Sequence, residues 1–82
     1  MRAAIARTHG HVLLSSGRAE EAIPFYERTL ELAPESIQAV WAHQELADCA
    51  LFRRDYDRAE SELEAALEAA RELGIVLAEA SA

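Results

Sequence analysis

The sequence predicts an all-α fold built from short antiparallel helical hairpins. Three observations carry that expectation. Ala, Leu, Glu and Arg, all strong helix formers, dominate the composition. β-Branched residues are too scarce to build a sheet. Apolar residues recur at three- and four-residue spacing between short breaks at Ser15-Ser16-Gly17, Ala33-Pro34-Glu35-Ser36 and Arg53-Arg54-Asp55.

These breaks delimit four helices, at about residues 2–15, 18–32, 36–53 and 56–73. Gly17 suits the left-handed residue that ends the first helix. The second shows Ala22, Phe25 or Tyr26, Thr29, Leu30 and Ala33 on one stripe, with Pro24 inside it, where a bend is expected. Pro34 cannot continue that helix, because it lacks an N–H and its ring clashes with the preceding turn. Ser36 and Asp55 are placed to cap the third and fourth helices. The fourth carries the stripe Ala59, Leu63, Ala66, Leu67 and Ala70. Its Glu60–Glu72 run reads as a solvated face, and Gly74 as a softer break before a short piece from Ile75 to Ala80. Connections of two to four residues force consecutive helices to pack as antiparallel neighbours.

The whole 82-residue chain reads as one domain with a modest core. Its net charge of −7 disfavours a phosphate backbone as partner, and the absence of Lys adds to that. The charge is uneven: residues 1–19 hold Arg2, Arg7 and Arg18 and no carboxylate, so the remainder is strongly acidic. Cys49 stands alone, which excludes an intrachain disulfide and suits a reducing, cytoplasmic setting. The N-terminus does not read as a signal peptide, and no apolar run is long enough to cross a membrane.

Self-comparison gives an internal repeat. The segment from Gly17 to Leu30 aligns with that from Arg54 to Leu67 at an offset of 37 residues, placing Ala22 on Ala59, Tyr26 on Leu63 and Thr29 on Ala66. The same offset places His9 on Leu46, Gly10 on Ala47 and Leu13 on Ala50. Small residues fall on small residues where two helices would touch, the signature of stacked hairpins.

In the order Gly10, Gly17, Ala22, Tyr26, Leu30 and Pro34, the first unit resembles a tetratricopeptide repeat. The second unit, with Leu46, Ala47, Asp55, Tyr56, Ala59, Ala66 and Leu67, is similar but more degenerate. Arg54 stands in place of its turn Gly, and Arg71 in place of its closing Pro. The family repeat is 34 residues long. The three extra residues here fall after Pro34, implying a third helix longer by almost one turn. The resemblance implies an α-α superhelix with one repeat at about 3–36, a second at about 37–73 and a cap fragment at 74–82, in which Ile75, Val76 and Leu77 would dock.

The resemblance further implies a protein-interaction module, with the first helix of each hairpin lining a concave face. Carried over by position, that face holds Ala4, Arg7, His11, Leu14 and Ser15, then Trp41, Gln44, Asp48, Leu51 and Phe52. Trp41, Leu51 and Phe52 are the expected anchors, since aromatic side chains dominate interface energetics. Arg7 and His11 are expected to read an acidic group on a protein or peptide partner. Glu45 would repel a C-terminal carboxylate, which argues against the carboxylate clamp found in some members of the family. A structural role in self-association through open repeat ends, or as an arm of a larger multidomain regulator, is the alternative.

No enzyme, metal or cofactor is expected. His9, His11, His43, Asp48 and Cys49 are the usable ligands, but no His pair has the i, i+4 spacing of a helical zinc site. His9 and His43 fall at helix-packing positions, and Cys49 reads as a small apolar residue.

Overall fold

The computed structural model describes residues 2–81, and the side chains of residues 2–74. Four helices follow one another: α1 (Ala3–Ser15), α2 (Ala19–Leu32), α3 (Ile37–Phe52) and α4 (Tyr56–Ser81). α3 exceeds α1 by three residues, where the repeat offset places the insertion.

The two hairpin turns are the same structure twice. After α1, the Arg18 N–H donates to the Leu13 carbonyl at 2.8 Å and the Gly17 N–H to Leu14 at 3.0 Å. After α3, the Asp55 N–H donates to Ala50 at 2.8 Å and the Arg54 N–H to Leu51 at 3.0 Å. This paired pattern satisfies the carbonyls at a helix C-terminus and requires one left-handed residue. Gly17 supplies it at φ 78°, and Arg54 is forced into it at φ 60°. Asp55 caps α4 as expected, its Oδ1 accepting from the Arg58 N–H at 3.2 Å. Ser36 does not cap α3 with its side chain. Its hydroxyl turns back to donate to the Ala33 carbonyl at 2.8 Å.

α2 continues through Pro24 to Leu32. The expected break at Gly74 is absent: α4 runs through it as one helix to Ser81. One Gly costs roughly 1 kcal/mol in a helix interior. The Ala, Leu and Glu residues on either side outweigh it. The expected docking of Ile75, Val76 and Leu77 lies outside the described side chains.

The order of packing separates a stack from a closed bundle. α1 packs on α2, α2 on α3, α3 on α4, and α1 also touches α3. Among the described residues α1 and α4 do not meet, although they would be neighbours in an up-down four-helix bundle. The core joins Ala19, Ala22 and Tyr26 of α2 to Ala42, Leu46 and Cys49 of α3, with Leu13, Leu14, Ile23 and Leu30 packed around them. The matched small residues Gly10, Ala22, Ala47 and Ala59 are all buried. Of the two aromatic candidates in α2, Tyr26 takes the core position, and Phe25 turns outward to His9 with ring centroids 5.5 Å apart.

One expectation for α4 is corrected. Glu62, within the run read as solvated, is only 8% exposed. Its Oε1 lies 2.9 Å from His43 Nδ1, and its Oε2 accepts from Arg58 Nε at 2.8 Å. Two partners compensate the cost of burying that carboxylate.

Candidate protein-binding face

The first helix of each hairpin presents one strip of side chains, and the helix period fixes its members. Ala4, Arg7, His11 and Leu14 follow one another at three- and four-residue steps on α1, with Ser15 beside them. Trp41, Gln44, Asp48 and Leu51 do so on α3, with Phe52 beside them. All are exposed except Arg7 and Leu14, which are half-buried.

Arg7 joins the two strips. Its guanidinium lies over the Trp41 ring, 4.9 Å from the centroid. Its Nε donates to Gln38 Oε1 at 2.9 Å and its Nη1 to Glu45 Oε1 at 3.1 Å. His11 Nδ1 lies 3.4 Å from the same Glu45 oxygen. Both side chains expected to read an acidic group are thus turned toward a carboxylate of the chain itself. The other Glu45 oxygen and the Tyr26 hydroxyl are buried, and neither has a hydrogen-bond partner among the described residues. Burial, and then the Glu45 carboxylate, hold the Tyr26 phenol far above its ordinary range. Glu45 is therefore a hub on which α1, α2 and α3 converge.

The apolar members remain outward. Trp41 is 39% exposed and Phe52 is 65% exposed. Eleven residues separate them, about 16 Å along a helix axis at the usual rise. Phe52 also forms a wall of an open cavity of about 410 Å³ at the turn end, lined with it by Gly17, Ala19 and Arg53. Asp48 lies between the two aromatics. Its carboxyl is raised by partial burial and then by Glu45.

Among the described residues, no three His, Cys, Asp or Glu side chains come together as a metal site. Cys49 is buried, and burial, then Asp48 and Glu45, push its thiol up to about 11, against thiolate formation. His43 is engaged by Glu62, and His9 packs on Phe25. Among the described residues, no helix is long and apolar enough to cross a membrane.

The hub and the buried Glu62 site were not legible as clusters in the sequence. Their members stand 38 and 19 residues apart, beyond any local periodicity. The repeat offset gives one signal: it sets Glu62 on Phe25, a charged residue where the first hairpin has an aromatic.

No curated protein and no solved structure matches the chain. A family model described as tetratricopeptide repeat matches residues 1–72. With most of the chain under that model, and with two equivalent hairpins stacked through matched small residues, the chain belongs to the tetratricopeptide-repeat family.

Proposed function

We propose that the chain binds a segment of a partner protein along the face formed by Arg7, His11, Leu14, Trp41, Gln44, Asp48, Leu51 and Phe52. Membership of the family supports protein interaction in general. The observation that carries the finer reading is Trp41, the one Trp of the chain, held over the Arg7 guanidinium with over a third of its surface exposed. A large ring fixed in place and left uncovered loses little conformational freedom when a partner packs on it. Arg7 then serves as the platform for Trp41 rather than as a free cation, since Glu45 neutralises it. The partner segment is apolar, and long enough to reach from Trp41 to Leu51 and Phe52.

The test selects binding peptides from a random library on the immobilised chain and measures them against Trp41→Ala and Phe52→Ala. Trp41→Ala is expected to weaken binding by about 2 kcal/mol, and Phe52→Ala by about 1 kcal/mol or more. Trp41 emission should shift on binding in the parent chain. Peptides that bind both variants as tightly as the parent, with no change in emission, place the binding surface elsewhere.

A further inference from the structure

The repeat register says what belongs on the open side of α4. In the built interface, Ala42, Leu46 and Cys49 of α3 pack into the face of α2 that carries Ala19, Ala22, Tyr26, Ile23 and Leu30. Moved by the 37-residue offset, that α2 face becomes Tyr56, Ala59, Leu63, Glu60 and Leu67 of α4. Ala59 at its base is buried, but among the described residues its other members are left uncovered. Tyr56, Leu63 and Leu67 are exposed, Leu67 by 66%. Val40, Gln44, Leu63, Ala66, Leu67 and Ala70 line a groove of about 280 Å³ there. α4 does not turn back across this groove, because it continues as one helix past Gly74.

The same offset identifies the complementary face. Ala42, Leu46 and Cys49 correspond to Ile5, His9 and Val12 of α1. These three are exposed, Val12 by 58%. We infer that α1 of a second copy, through Ile5, His9 and Val12, docks in the α3/α4 groove of the first, so that chains stack head to tail.

Three features beyond the register support a second copy as the occupant. The sizes compensate: where the built interface sets bulky Tyr26 with small Ala42, the new one sets smaller Leu63 with larger Ile5. Polarity compensates as well, since His9 replaces Leu46 on one side while Glu60 replaces Ile23 on the other. The charges are also complementary. α1 brings Arg2 and its carboxylate-free surroundings to an α4 surface that carries Glu60, Glu64 and Glu68. The two faces differ, so the contact is heterologous and does not close at two copies.

Sedimentation velocity on the chain and on Val12→Glu and Leu67→Glu tests this. Both sites are exposed, and circular dichroism should show each variant as helical as the parent. The parent mass is expected to grow with concentration past two copies and to fall as salt rises. Each variant alone should raise the dissociation constant at least about tenfold. Mixed in equal amounts, the variants should form a one-to-one complex and stop, because each retains the edge the other lacks. A parent that stays monomeric up to about 1 mM overturns the proposal and leaves the groove to a partner helix or a further stretch of chain. So does assembly that survives either substitution, a parent that stops at a dimer, or a mixture that stays monomeric. Neither substitution alters a residue of the α1/α3 face, although Gln44 of that face also lines this groove, so Trp41 emission on peptide binding remains the separate readout of the proposed function.

Discussion

Gly10 lies so close beneath the ring of Tyr26 that a Cβ built on it would stand 2.8 Å from Cε1 and 2.9 Å from Cζ. Real Cβ contacts are essentially never that short. The Tyr26 ring is fully buried and set against α3, so it has little room to retreat. Gly10→Ala should therefore destabilise the chain by about 1–3 kcal/mol despite the better helix propensity of Ala. Urea denaturation followed by circular dichroism reads this directly. An unchanged midpoint would show that Tyr26 shifts at no cost.

The two hairpin turns make opposite predictions. Arg54 occupies a left-handed conformation that costs a non-Gly residue on the order of 1 kcal/mol. Arg54→Gly should raise stability by about 0.5 kcal/mol, after the greater freedom of Gly in the unfolded chain is deducted. Gly17→Ala, which has open space for its methyl group but the wrong backbone, should lower it by about 1 kcal/mol. Thermal midpoints of the two variants should move in opposite directions.

Removing Arg7 leaves Glu45 partly buried without its strongest partner and takes away the platform under Trp41. Arg7→Ala should cost about 1–2 kcal/mol and shift the emission of Trp41 toward the red. Arg7→Ala combined with Glu45→Ala should cost less than the sum of the single changes, because the double variant leaves no orphaned carboxylate. Strict additivity in that cycle would mean that the pair does not interact.

Glu62→Ala removes the carboxylate from between His43 and Arg58. A loss of about 1–3 kcal/mol is expected, of which the half-exposed Arg58 supplies little. Glu62→Leu, which fills the space with an apolar side chain, should recover part of it. If Glu62→Leu proves the worse of the two, the space between His43 and Arg58 does not accept an apolar side chain.

At alkaline pH the chain should lose stability. Burial raises both the Tyr26 phenol and the Cys49 thiol, the latter to about 11 from 9.0. Between about pH 9 and 11 the unfolded thiol has released its proton while the folded one keeps it. The folded state then binds more protons, so stability falls as pH rises through that window and is fully present below it. Cys49→Ala should flatten this stretch of the profile, and a thiol reagent should label native Cys49 far more slowly than the unfolded chain.

Local rules made most of the architecture legible. Gly17, Pro34 and Asp55 mark the turns, and the pairing of Gly10 with Ala47 and of Ala22 with Ala59 marks the contact surfaces. Where the reading departed from the structure, a local rule met a competing term. Gly74 has the look of a break, but a single unfavourable residue yields to long stretches of favourable ones. Ser36 has the hydroxyl of a capping residue but donates it backwards to Ala33. Glu62 matched the polar side of its helix, and only partners from a different turn and a different helix explain its burial. On the candidate face, spacing placed Trp41 and Arg7 on neighbouring strips. It did not show that Glu45 already occupies the cation, which a contact across 38 residues decides.

The chain of contacts from α1 to α4 also sets the order in which the molecule comes apart. Among the described residues, α3 touches every other helix, whereas α4 touches α3 alone. Detaching α4 breaks one interface, and detaching α3 breaks three. Amide protons of α4 should exchange with solvent through a lower-energy opening than those of α3, so the molecule unzips from its acidic end.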